Sequence, residues 1–230
     1  MNAHPDADTG LPAEDGAALA PAAQGSTGGG RRRLKPGERR LQILQALATM
    51  LEQPGAERIT TAALAARLEL SEAALYRHFA SKAQMFEGLI DFIEQSVFTL
   101  TNQIGEREGN ARLRACRIVA VVLQFGERNP GMVRVMVGDA LVFEHQRLIQ
   151  RMAMFFDRIE SQLKACLRSA DSPDGLPGSA LDAQIRASVL TSFALGRLQR
   201  FARSGFKRLP TEHLEASLQL LASARADGTL

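Results

Sequence analysis

The sequence predicts an all-α chain, with a small N-terminal unit of three helices followed by a larger helical domain, and three observations carry that expectation. Apolar residues recur at spacings of three and four, as in Leu41, Leu44, Leu47, Ala48 and Leu51, which is the period of a helix with one buried face. No segment carries convincing strand alternation. The breaks between periodic segments fall where turn-forming residues gather, as in Asn129-Pro130-Gly131 and Asp171-Ser172-Pro173-Asp174-Gly175.

Residues 1–30 are rich in Ala, Gly and Pro, with Asp6, Asp8, Glu14 and Asp15 as their only formal charges, so they bury too little to offset chain entropy and are expected to be a disordered tail. Arg31-Arg32-Arg33-Leu34-Lys35 and Arg39-Arg40 then form a cationic arm leading into a helix from about residue 38, which Pro54-Gly55 ends. Between residues 60 and 79 two short helices are joined by a tight turn. Thr60 or Thr61 caps the first, whose inner side carries Leu64, Ala65 and Leu68; Ser71 caps the second, with Ala74, Leu75 and Phe79 inward. A long helix is predicted over 82–104, with Phe86, Leu89, Ile90, Ile93, Val97, Leu100 and Ile104 on one stripe. Further helices are predicted over 111–127, 139–167, 181–203 and 211–224, with a short apolar piece at 132–137.

The helix pair at 60–79 is the most informative feature. Its second helix leaves Glu72, Ala73, Tyr76, Arg77 and His78 outward, hydrogen-bonding groups with no opposing apolar demand, which is the layout of a helix that enters the groove of double-stranded DNA. An ordinary helical corner is the competing reading. Tyr76, the single tyrosine of a chain without tryptophan, favours the first, since an outward phenol serves a phosphate better than a core. Ser81-Lys82 adds a cap hydroxyl and an ammonium at the next helix start, a favourable place for an anion. The unit is therefore expected to be a helix-turn-helix domain over 31–80, with the remainder, 81–230, a helical dimerisation and partner-binding domain. The helix at 181–203 mixes Ala183, Ala187, Ser188, Ser192, Ala194 and Gly196 with Val189, Leu190, Phe193 and Leu195 and needs cover on more than one side. Burial within the monomer meets that need; a two-fold homodimer reading paired half-sites is the preferred alternative.

Length and charge are compatible with this. At 230 residues and 45% hydrophobic content the chain supports a sizeable core. The net charge of +3 becomes +7 on residues 31–230 once the acidic tail is set aside, and the cations cluster at 31–40 and at Arg67, Arg77 and Lys82. Cys116 and Cys166 lack a second Cys or a His at metal-ligand spacing and are expected to be buried thiols. The four histidines are scattered, no phosphate loop or nucleophile motif appears, and neither an enzyme nor a cofactor is expected. There is no secretory segment or long apolar run, so no membrane association is expected, and the protein is expected to be cytoplasmic and associated with the nucleoid.

The first helix, the Thr60-Thr61 start, the run Ser71-Glu72-Ala73-Ala74-Leu75-Tyr76-Arg77-His78-Phe79 and Ser81-Lys82 resemble the DNA-binding domain of TetR-type regulators. Within that superfamily, Arg58-Ile59-Thr60-Thr61, Phe92-Ile93-Glu94, Phe125-Gly126-Glu127-Arg128-Asn129-Pro130-Gly131 and Phe206-Lys207-Arg208 resemble a branch whose members bind chromosomal DNA and antagonise the division protein FtsZ, a function called nucleoid occlusion. That resemblance implies DNA contacts at Thr60, Thr61, Tyr76, Arg77, His78 and Lys82. It implies an FtsZ surface near Phe92, Arg128 and Asn129, where the last two, at a helix end before Pro130-Gly131, are expected to be exposed. The chain departs from the pattern at Glu69, where the turn usually has Gly, at Ala80, where Pro is frequent, and at Leu100, where a basic residue occurs. A ligand-responsive repressor is the alternative, with Phe143, Met152, Phe155, Phe156 and Phe193 lining a pocket.

Overall fold

The computed structural model describes residues 37–53, 58–168 and 180–223, and every regular element among them is helical. The N-terminal tail, the arm at Arg31-Arg32-Arg33-Leu34-Lys35, Pro54-Gly55 and the loop at 171–178 lie outside the described residues. Helix α1 (Glu38–Leu51) buries Ile43, Leu47 and Leu51 against α2 (Thr61–Arg67) and α4 (Lys82–Arg107). Arg39 and Arg40 belong to this helix, not to an arm. The Arg40 guanidinium donates to the His78 carbonyl at 2.9 Å and lies 4.1 Å over the Phe79 ring, so it clamps the chain that leaves α3 (Glu72–Tyr76).

The turn between α2 and α3 keeps the left-handed geometry despite its glutamate. Glu69 has φ 54°, its N–H donates to Ala66 O at 3.1 Å and that of Leu70 to Ala65 O at 2.9 Å, the paired bonds that close a helix C-terminus. A left-handed non-glycine costs about 1–2 kcal/mol. Closure of Leu64, Ala65, Leu75 and Phe79 into one core, together with the satisfied carbonyls, offsets that cost.

Helix α4 runs one turn further than its apolar stripe predicts, because Thr101 is buried and Arg107 sits in the last turn, where a cation favours the carbonyl end. It packs on α5 (Ala111–Arg128), whose start is capped by Asn110 accepting from Leu113 N at 2.9 Å. Pro130 opens α6 (Pro130–Met136), a short helix between α1 and the rest. A Cβ at Gly131 would lie 2.0 Å from the Ala48 carbonyl oxygen, so the absence of a side chain there is what lets α6 reach α1.

The single long helix predicted over 139–167 is two elements. A 3-10 turn at Asp139–Leu141 is followed by an exposed Val142 and Phe143, and α7 (Gln146–Arg168) starts only after the His145 imidazole accepts from Arg147 N at 3.2 Å. Helix α7 packs along α8 (Ala180–Arg203), and α9 (Leu214–Ser223) covers the end of α5 and α8. No described helix is long and apolar enough to cross a membrane.

Candidate nucleic-acid interface

The first turns of α2, α3 and α4 are capped in the same way, by Thr60 accepting from Ala63 N at 3.1 Å, Ser71 from Ala74 N at 3.1 Å and Ser81 from Gln84 N at 3.2 Å. Leu75 and Phe79 are buried beneath α3, while Ser71, Glu72, Ala73, Tyr76, Arg77 and His78 are all exposed above it. The helix itself is shorter than predicted: it ends at Tyr76, Arg77 is its C-cap and His78 lies in the following turn. The candidate residues nonetheless share one face, since Arg40 holds that turn against the helix.

One feature of this face was not legible in the residue pattern. The Thr61 hydroxyl donates to the Glu72 carboxylate at 2.6 Å, and the Tyr76 phenol donates to Thr61 Oγ1 at 3.4 Å. The chain Tyr76, Thr61, Glu72 joins the start of α2 to α3 and fixes the phenol's direction without sequestering it, for Tyr76 is 44% exposed. Such an arrangement offers hydroxyl donors to phosphates, a guanidinium and an imidazole for base edges or backbone, and one carboxylate that accepts.

Lys82 departs from expectation. Its ammonium is paired with Glu144 at 2.5 Å, and the Glu144 side chain is only 9% exposed. Farther along, Glu87 pairs with Arg147 at 2.7 Å, and Arg151 with both Asp91 and Glu94 at 2.6 Å. These pairs bind the first half of α4 to the start of α7. With Arg58 lying 4.8 Å over the Phe143 ring, they join the reading head to the C-terminal domain. A phosphate approaching Lys82 competes with Glu144 for the same ammonium. Glu144→Gln is therefore expected to raise DNA affinity by about 0.5–1 kcal/mol and to steepen its salt dependence by about one unit, measured by fluorescence anisotropy across a salt series.

The three residues of the second candidate surface separate. Arg128 is exposed at the end of α5; Phe92 is half-buried in the seam of α4 and α5, its ring 6.1 Å from that of Phe125. Asn129 is not exposed: it is 6% accessible, and its amide donates to the Phe125 carbonyl at 2.9 Å. The expectation of an outward Asn129 is corrected, because the chain needs that side chain to terminate α5 before Pro130.

On α8, Leu181, Ile185, Val189 and Leu195 are exposed together with Ser188, Ser192 and Gly196, an apolar and small-residue face along the whole helix. Of the residues expected to line a ligand pocket, Met152, Phe155 and Phe156 are core, and the Phe155 ring meets Phe98 at a tilt and Phe156 edge-on, at 5.3 and 5.1 Å. Phe143 lies outside, and Phe193 is half-exposed beneath the Arg197 guanidinium. Cys166 is buried and Cys116 half-buried; burial pushes both thiols up. Among the described residues no group of three His, Cys, Asp or Glu is placed to hold a metal.

Comparison with known proteins bears on both halves. The family described as "Bacterial regulatory proteins, tetR family" matches residues 43–89, and the SlmA-like family described as "Tetracyclin repressor-like, C-terminal domain" matches residues 110–225. A nucleoid occlusion factor SlmA from Idiomarina loihiensis is 51% identical over 183 residues, which is 80% of this chain and 93% of that protein. Another from Marinomonas sp. is 51% identical over 178 residues, 77% of this chain and 90% of that protein. The solved structure of the fatty acid degradation regulator FadR from Bacillus halodurans superposes with a TM-score of 0.65 at 12% identity, over 85% of this chain and 99% of that one, a likeness of fold alone.

Proposed function

The chain belongs to the SlmA family of TetR-type regulators, and from that membership we propose that it is a nucleoid occlusion factor: a homodimer that binds specific sites on chromosomal DNA and there inhibits assembly of the FtsZ-dependent division septum. The observation that carries the reading is the extent of the similarity, about half of all positions through both the reading head and the C-terminal domain. It acts at the nucleoid in the cytoplasm.

Each half has its residues. Arg77 and His78 approach base edges or phosphates, Thr60, Thr61, Ser71 and Tyr76 present hydroxyls at the starts of α2 and α3 and on the exposed face, and Glu72 and Ala73 line the same face. Lys82 reaches a phosphate after leaving Glu144. On the second surface, Arg128 pairs with a carboxylate of FtsZ, and the accessible edge of Phe92 supplies an apolar contact. Phe92 lies ten residues beyond Lys82, so about 15 Å of continuous helix joins the two surfaces at 1.5 Å per residue.

A paired measurement tests this: anisotropy on labelled operator DNA, and sedimentation with FtsZ polymers in the presence and absence of that DNA. Arg77→Ala is expected to weaken specific DNA binding by about 1–3 kcal/mol. Arg128→Asp is expected to abolish the effect on FtsZ with operator affinity retained. If the wild-type protein on its operator leaves FtsZ unchanged, the division half of the reading fails and a plain repressor takes its place.

A further inference from the structure

Between Asp182 and Glu212 the chain contains no acidic residue, yet it carries Arg186, Arg197, Arg200, Arg203, Lys207 and Arg208. Arg186 is paired with Asp182 at 3.0 Å, and Arg197 donates to the Glu212 carbonyl at 2.8 Å and to Ser217 Oγ at 3.1 Å. The other four are exposed, and none is in salt-bridge contact with a carboxylate of the described residues. Burial and then the neighbouring Arg200 charge lower the basicity of Arg197, against a smaller opposing pull from Glu212. Cations in the last turn of a helix favour its carbonyl end, and that accounts for Arg200 and Arg203. It does not account for Lys207 and Arg208, which lie beyond the helix.

Those two stand on a loop built to hold them. Gly205 and Phe206 are both left-handed, at φ 63° and 62°, and Phe206 N donates back to Phe201 O at 3.0 Å. The Phe206 ring meets Phe201 edge-on at 5.2 Å, with the Arg134 guanidinium on it at 5.2 Å. Ser204 Oγ accepts from both Lys207 N and Arg208 N, at 3.1 and 2.9 Å. The loop is tied to α5 as well, because the Thr211 hydroxyl donates to the carboxylate of Glu127, the residue before Arg128. Leu209, 46% exposed, sits between the cations and the buried Pro210.

We infer that Lys207, Arg208 and Leu209 extend the Arg128 surface into one docking site for an acidic segment of FtsZ, with carboxylates on the three cations and an apolar side chain against Leu209. The inference rests on the nucleoid occlusion reading and adds to it a region of the chain far from α4 in sequence. The Thr211–Glu127 bond, which ties the loop to α5 one residue before Arg128, and the exposed leucine among the cations favour a peptide over DNA as the occupant. Helix α8, which leads into this loop, packs on α5 and α6. A loop already fixed by its own hydrogen bonds loses little freedom on binding.

The test uses the full chain bound to its operator, sedimented with FtsZ polymers at increasing salt, alongside the double variant Lys207→Glu/Arg208→Glu. At least tenfold weaker association with FtsZ is expected, with operator affinity within twofold and an unchanged melting temperature. Lys207→Gln/Arg208→Gln, which removes charge without reversing it, is expected to lose less and serves if the first variant misfolds. Wild-type association with FtsZ that both variants reproduce overturns the docking site alone. Loss of DNA affinity with FtsZ association intact overturns it too and makes the patch a nucleic-acid surface. Absence of any wild-type association removes the nucleoid occlusion reading, and this site with it.

Discussion

Gly131→Ala is expected to lower the melting temperature by about 5–10 °C, the consequence of a loss of about 2–3 kcal/mol in a domain of this size. The added methyl would stand 2.0 Å from the Ala48 carbonyl oxygen and 3.3 Å from the Leu51 side chain, and a carbonyl fixed in α1 cannot step aside as a side-chain tip does. The helices α1 and α6 must separate, which also disturbs the junction between reading head and C-terminal domain. Gly105→Ala is the control. No atom outside its own turn lies within 4 Å of a Cβ there, so the better helix propensity of alanine is expected to stabilise by about 0.5–1 kcal/mol. Thermal unfolding of both variants checks the pair; equal behaviour would show that α6 does not depend on close approach to α1.

Val189→Asp is expected to convert the protein to a monomer and to weaken operator binding by about a hundredfold or more, since two linked heads bind paired half-sites far more tightly than one. Val189 is 46% exposed at the middle of the α8 face, so an aspartate is harmless in the isolated chain. Across a two-fold axis the same carboxylate faces its own copy or apolar side chains without a partner, a cost of several kcal/mol. Analytical ultracentrifugation gives the oligomeric state and circular dichroism the fold. A variant that stays dimeric would move the interface off this face.

The helix content and the head's inner and outer faces were legible because both rest on short-range patterns. Leu64, Leu75 and Phe79 are buried and Tyr76 and Arg77 are exposed, as their spacing requires. What escaped were contacts between residues distant in the chain. Nothing near Lys82 announces Glu144, and nothing near Arg40 announces the carbonyl of His78. The break at 142–145 was invisible because Leu141 and Phe143 fit a helical stripe, although Phe143 stands in solvent. Asn129 misled for a related reason: a polar residue before Pro130-Gly131 reads as surface, yet its amide is consumed inside by the Phe125 carbonyl.

Helix α3 is five residues long. A segment of that length has barely completed its nucleus, and in isolation it would be almost entirely coil. Its helicity is lent to it by Leu75 and Phe79 below, by the Ser71 cap at one end and by Arg40 at the other. The hydrogen-bonded amides of α3, such as Leu75 N on Ser71 O, should therefore exchange with solvent hydrogen only when the surrounding core opens. Reading a base sequence and keeping the head folded are then one equilibrium, and warming that opens the head would erase the address on the chromosome while α7 and α8, packed on each other, stay folded.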